Sequence, residues 1–417
     1  MVLTRQTSFY DAWKLPHPIG YPGHVVSRNE LQKHIVKNVY SMGSILDLEP
    51  IINVHIQDLT SRIGNYTLYQ TEPDLWCSLK MHVFAVLGEM LYGYRFNAVP
   101  QLGGLETYLS AIEGLLPLAA NGTLLASPRN PVGIFFEYCQ SSSKFRHLTI
   151  SATQGFGIDL RRMIPKRCQD LLLGVDMTPD IIAKFCGISA IVGGGSGCTP
   201  GYVHKELLAA LFGGTDPTTL TLTSTLYHLM RNPDTYKRLT DEVDAAYAGR
   251  SLQTPISYNA ACTLPYLKAC IQEAMRLHPA VGYHLPRVVP PGGATIAGVY
   301  IPEGYHIGIN PAVVQYDKDV FGADADMFNP DRWLNGNGNL ERMEKVMLAF
   351  GAGDTACIGK SVATCLVYKL IPHLLRNFEI RLAGDKEPVK KTFWFTLLRD
   401  VDVVFKKRDA KPKACRE

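Results

Sequence analysis

The 417-residue chain contains no run of about 18 consecutive apolar residues, so it encodes no membrane-spanning helix. It has no block of like charge. Lysines and arginines are scattered apart from the tail "FKKRDAKPKACRE", and a formal charge of +4 is too small for the basic footprint of a nucleic-acid-binding protein. Cysteine is present ten times, at Cys77, Cys139, Cys168, Cys186, Cys198, Cys262, Cys270, Cys357, Cys365 and Cys415, yet no CxxC pair or small-domain framework occurs. The expectation is mostly reduced, buried thiols in a reducing compartment. Nothing at the N-terminus couples a charged stretch to an apolar core, so the Asn-x-Thr sequons at Asn65 and Asn121 carry no weight. Internal repeats, low-complexity segments and Gly/Ser/Pro linkers are missing too, which favours one large domain over residues 1–417. No dinucleotide-binding glycine fingerprint is visible.

What is present is an ordinary globular composition, 46% hydrophobic and 19% charged. The segments "LQKHIVKNVYSM", "LEPIINVHIQDLTSRIGNYTLY" and "WCSLKMHVFAVLGEMLYGY" repeat apolar residues at intervals of three and four, the period of amphipathic helices. A long helical pattern covers about residues 200–231, with Gly213, Gly214 and Pro217 in its middle. "LPYLKACIQEAMRLHPAV" is another helix, stopped by Pro279. The texture then becomes β-branched and turn-rich in "RVVPPGGATIAGVYIPEGYHIGIN". A last helix runs from about Gly359 to Arg376, and "FWFTLLRDVDVVF" has the composition of strands. The fold class is mainly α with small β-sheets.

Chemistry concentrates in "AFGAGDTACIGKS", residues 349–361. Cys357 stands immediately before the last helix, whose N-terminal partial charge favours a thiolate, the form that binds metals. One cysteine at a helix start is more often a structural thiol. Here, however, Gly353 and Gly359 flank the sulfur with backbone able to approach it, and Phe350 can shield one side.

At these residues the sequence resembles the cytochrome P450 family, whose loop has the form Phe-x-x-Gly-x-Arg-x-Cys-x-Gly; Thr355 replaces the arginine. Further motifs follow in the family's order. Glu273 and Arg276 in "EAMR" share a helix face. With Arg332 of "FNPDRW" they match three charged residues that lock the core beneath the haem, a structural role. "FGGTDPTT", residues 212–219, matches the central helix, with Pro217 in place of its first threonine. A proline opens the helix by removing one N–H but cannot relay a proton. Asp216 and Thr218, with Thr219 and water, are therefore the candidates for that relay; the plainer alternative is that the threonines bond back within the helix.

The resemblance implies haem b with Cys357 as the axial ligand of its iron. Thiolate ligation pushes electron density toward iron-bound oxygen, a general property of haem–thiolate proteins. It also implies Arg287 and Lys33 as partners of the propionates, and a pocket lined by Leu208 to Thr218, Ala280 to His284 and the turn near Phe395. The expected reaction inserts one oxygen atom from O2 into a lipophilic small molecule. Electrons would come from NADPH through NADPH-cytochrome P450 reductase. "PRVVPPGGATIAGVYIPEG" narrows the likeness to fungal members of secondary metabolism or detoxification, such as the pisatin demethylase group.

Compared with membrane-bound members, the chain enters after the anchor, the first helix and the first strands, a truncated form of the fold. Endoplasmic-reticulum attachment is then expected if an upstream anchor exists, and a cytoplasmic protein otherwise. Two other readings stay open: an enzyme with atypical oxygen activation, using peroxide or rearranging its substrate, and an inactive haem-binding remnant.

Overall fold

The structure, a computed structural model, describes residues 30–95, 163–175, 178–191, 199–249, 254–334, 339–392 and 395–408. Asn121, Cys139, Cys198 and Cys415 lie outside them. The longer helices are α1 (Glu30–Val39), α2 (Glu49–Tyr69), α3 (Leu75–Tyr92), α4 (Ile181–Ile191), α5 (Pro200–Arg231), α6 (Pro233–Gly249), α7 (Pro265–Leu277) and α8 (Lys360–Asn377).

Local chemistry sets their ends. Asp74 caps α3 by accepting from the Trp76 N–H at 3.1 Å, and Gly93 closes it at φ 73°, the left-handed conformation that glycine adopts without strain. Thr199 caps α5 by accepting from the Tyr202 N–H at 3.2 Å, with Pro200 at the first helical position, where no N–H is needed. As expected, α7 stops just before Pro279.

Among the described residues, strands form four antiparallel pairs: β1 (Arg287–Val288) with β4 (His306–Ile307), β2 (Ala294–Ile296) with β3 (Val299–Ile301), β5 (Phe378–Leu382) with β8 (Val403–Lys407), and β6 (Val389–Thr392) with β7 (Thr396–Arg399). The register of the first pair sets Arg287 opposite Ile307. The mainly helical class with small sheets is what the structure shows.

The core runs along α5, against which α3, α7 and α8 pack. Phe84, Leu87, Leu211, Leu220, Leu366 and Leu370 are among its buried side chains, each contributing roughly 1.5–3 kcal/mol through burial. A Cβ on Gly214 would meet Leu87 Cδ1 at 3.0 Å, so glycine there sets how closely α3 approaches α5. Of the described cysteines, Cys270 and Cys365 are buried, Cys168 and Cys186 half-buried, and Cys77, Cys262 and Cys357 exposed; all are free. The expectation of mostly buried thiols is thus corrected: Cys168 and Cys186 pack against the core without being fully covered, and Cys77, Cys262 and Cys357 sit at or near helix ends.

Candidate active site

A cavity of about 660 Å³ lies between α5 and the loop ahead of α8. One stripe of α5 forms a wall: Glu206, Ala209, Ala210, Gly213, Gly214, Pro217, Thr218 and Thr221 all line it, at the three- and four-residue spacing of a single helix face. Apart from Glu206 these are small side chains, and their size leaves room in front of the helix. The stripe is rotated from expectation, since Leu208 is buried in the core. His284 is exposed and outside the lining, whereas Ala280, Val281, Leu285 and Phe395 belong to it. Tyr40, Leu87, Met90, Leu91 and Ile181 complete the apolar wall, from early segments whose motifs carried no such signal.

α5 runs continuously through Pro217. The Gly213 carbonyl therefore has no partner four residues on, because proline has no N–H. Threonines bond back along the same helix: Thr215 Oγ1 to the Leu211 carbonyl at 2.6 Å, Thr219 Oγ1 to that of Thr215 at 2.8 Å, and Thr221 Oγ1 to that of Pro217 at 3.0 Å. Thr219 is thereby engaged within the helix, while Thr218 is buried and lines the cavity. Asp216 requires a correction. Its Oδ1 lies 2.9 Å from Lys80 Nζ of α3, both side chains are buried, and the residue is not part of the lining. The helical turn points Asp216 at α3, because one residue along α5 rotates a side chain by about 100°.

Opposite stands the cysteine loop. Phe350, Gly351, Thr355, Cys357 and Gly359 all line the cavity. Gly351 and Gly353 take φ of 67° and 66°, and the Cys357 N–H donates to the Phe350 carbonyl at 2.8 Å, which closes the loop into a tight turn ahead of α8. The surrounding protein desolvates the Cys357 thiol and raises its pKa. Backbone N–H groups of Gly359 and Lys360, with the Lys360 ammonium, pull the other way by stabilising negative charge on sulfur. The sulfur thus opens into the cavity with amide donors behind it.

Arg287 also lines the cavity. It donates to Thr355 Oγ1 at 3.1 Å and to the Leu285 and Pro286 carbonyls, each at 3.1 Å. Thr355, the departure from the expected arginine, orients the neighbouring cation instead of supplying one. Lys33 is exposed on α1 and outside the lining; the cavity receives Tyr40 from the turn after that helix.

Behind the loop, Glu273, Arg276 and Arg332 meet in the core. Glu273 accepts from Arg276 Nε and Nη2 at 2.8 Å each, from Arg332 Nε at 2.9 Å, from Trp333 Nε1 at 2.8 Å and from the Asn329 N–H at 3.0 Å. Arg276 also donates to the Gln315, Ala325 and Met327 carbonyls, at 2.8, 2.5 and 3.1 Å. Two members were not anticipated from sequence. Trp333 is adjacent to Arg332 in "PDRW", and an indole that needs an acceptor when buried was the available clue. Gln315 is buried, donates to the Met275 and Arg276 carbonyls, and accepts from the Leu348 N–H at 2.9 Å, tying the charged cluster to the start of the cysteine loop.

The family model for cytochrome P450 matches residues 27–402. The chain belongs to the cytochrome P450 family. It is 32% identical over 364 residues to the cytochrome P450 monooxygenase ACRTS1 of Alternaria alternata, covering 85% of this chain and 93% of that one. Over 183 residues, 44% of this chain and 35% of the relative, it is 42% identical to a pisatin demethylase of Fusarium vanettenii. Among solved structures, a cytochrome P450 described as CYP102L1 superposes with TM-score 0.77 at 17% identity, covering 96% of this chain and 84% of that chain, a likeness of fold. The protein is a P450-type monooxygenase related to fungal enzymes, and the family implies a haem cofactor.

Proposed function

We propose that the protein inserts one oxygen atom from O2 into a lipophilic small molecule of fungal secondary metabolism or detoxification. NADPH would supply electrons through NADPH-cytochrome P450 reductase. In this reading residues 1–417 act as one domain, supported by a large core cluster that reaches from Ile35 to Phe405 among the described residues. No helix among the described residues is long and apolar enough to cross a membrane, and endoplasmic-reticulum attachment would need an anchor upstream.

The observation that carries the proposal is the Cys357 sulfur opening into the cavity opposite the small-residue stripe of α5. The donor set fits haem: a thiol backed by two backbone amides, apolar walls, and a cation at the rim. When bound, haem would supply the oxygen-activating chemistry. Cys357 would hold the iron, Gly353 and Gly359 would let backbone approach the sulfur, and Phe350 would cover it. Arg287, oriented by Thr355, would meet a propionate as a charge-assisted partner. Tyr40, Met90, Leu91, Ile181 and Phe395 would bind the apolar substrate and exclude water. Thr218 can hold a proton on its hydroxyl at the cavity wall and pass it to water; Asp216, paired with Lys80, would serve that relay only after leaving its partner.

Pro217 favours a second reading, in which peroxide drives the reaction and no threonine relay is needed. Consumption of NADPH and O2 with a hydroxylated product, in a mixture containing catalase, decides against it. For the main reading, the reduced protein with carbon monoxide should show the red-shifted Soret band of thiolate ligation, and Cys357→Ala should abolish it. Absence of that band in purified, haem-loaded protein would overturn the proposal.

A further inference from the structure

Cys168 and Cys186 are 18 positions apart in sequence, on different helices, yet their sulfurs lie 3.3 Å apart. Cys168 belongs to the helix over residues 163–172, and Cys186 to α4. Both are half-buried, so a small oxidant can reach them while the surrounding helices hold them in register.

The neighbouring contacts are firm. Arg167 Nε donates to Asp180 Oδ2 at 2.6 Å and Arg167 Nη2 to the Thr178 carbonyl at 2.6 Å, while Asp180 Oδ1 accepts from the Ala183 N–H at 2.7 Å at the start of α4. Gly93, at φ 73°, leaves space for this pair, since a Cβ there would stand 2.5 Å from Asp180 Oδ2. A buried ion pair and a helix cap thus fix the two helices next to the sulfurs, and the thiols face each other without rearrangement.

We propose that Cys168 and Cys186 are a reversible dithiol–disulfide modification site whose oxidant is hydrogen peroxide. In the first step the Cys168 sulfur attacks one peroxide oxygen; the O–O bond breaks, Cys168 becomes a sulfenic acid, and water leaves with the thiol proton. In the second, the Cys186 sulfur attacks the sulfenic sulfur, the S–O bond breaks, and a second water carries off the remaining proton. Two thiols and one peroxide yield one disulfide and two waters, with two electrons passing from sulfur to oxygen. Either thiol can donate across the 3.3 Å contact; donation from Cys186 lowers the pKa of Cys168, with the Arg167 charge assisting against burial and Asp180, and Cys168 is assigned the first attack on that arrangement. The site stands beside the cavity, because α4 also carries Ile181 of its lining. It does not depend on haem loading or on the proposed reaction.

The test uses the whole purified protein, treated with hydrogen peroxide, alkylated and digested without reduction. Mass spectrometry should find the Cys168 and Cys186 peptides joined with loss of two hydrogens, and dithiothreitol should separate them. The oxidised protein should unfold about 3 °C higher than the reduced one, a shift missing in Cys186→Ser. That variant should instead accumulate Cys168 sulfenic acid, trapped by dimedone. The proposal is overturned if both thiols remain alkylatable after treatment that oxidises exposed Cys262, or if Cys168 joins any other cysteine.

Discussion

Two buried charge clusters flank the cavity, and they are built to different standards. Behind the cysteine loop, Glu273 accepts five hydrogen bonds from Arg276, Arg332, Trp333 and the Asn329 backbone. Across the cavity, Asp216 meets Lys80 at 2.9 Å through one oxygen, on which no donor is aligned as a hydrogen bond. Desolvating a charge costs several kcal/mol, and only dense, well-directed hydrogen bonding offsets it. The first cluster therefore specifies a rigid frame for the ligand loop. The second brings α3 and α5 together through a carboxylate oxygen that accepts no aligned hydrogen bond.

The comparison can be broken first at Glu273. Glu273→Gln removes the charge that two arginines share and sets an amide N–H₂ against donors; the expected cost is about 4–5 kcal/mol, a large share of the stability of a typical domain. Little folded, haem-loaded protein should be recovered, and near-wild-type yield and melting temperature would contradict the assignment.

A smaller effect is expected across the cavity. Lys80→Met strands the Asp216 carboxylate and should cost roughly 3 kcal/mol in urea unfolding, whereas Lys80→Met combined with Asp216→Leu should recover most of it. If the double variant is no more stable than the single one, the loss does not come from stranding the Asp216 carboxylate.

The mildest change sharpens the picture through pH. His228, stacked on Phe328 at 4.7 Å and on His278 at 5.1 Å, is held neutral by burial, which lowers its pKa to about 4, with Arg276 and Lys390 assisting and Glu273 opposing. Burial also lowers His278. A histidine whose folded pKa lies below its unfolded value of about 6.5 contributes stability that is complete above that pH and lost as pH falls toward the folded value. At about pH 5 the loss is on the order of 2 kcal/mol for His228. His228→Phe preserves the stack and should flatten the slope of stability between about pH 6.5 and 4; an unchanged slope would show that His228 does not carry it.

Much of this frame could be read from the chain alone. The helices α2, α3, α5, α7 and α8 follow from apolar spacing, because an amphipathic period is a local property that burial merely exploits. Arg276 and Glu273 were recognisable as a pair since three residues on a helix share a face. The helix α6 and Pro372 inside α8 were not anticipated, the first because it is polar overall with only a narrow buried face around Leu239 and Val243, and the second because packing outweighs one lost hydrogen bond.

Sequence by itself determined which residues could carry chemistry: Cys357 between glycines ahead of a helix, the small-residue stretch around Gly213 and Pro217, and the charged trio of Glu273, Arg276 and Arg332. Within the cysteine loop, the small-residue stretch and the Glu273/Arg276 pair, covalent connection already places the members within reach of each other, whereas Arg332 was linked to them by motif resemblance and comes from 59 positions away. Only the tertiary structure decided which way each side chain faces and what it meets. It turned Asp216 toward Lys80 and away from the cavity, joined Gln315 to Leu348, gave Thr355 to Arg287, and set Cys168 against Cys186. The partners in those pairs come from separate elements. Their meeting depends on how helices and loops pack over a shared core, which no local spacing records.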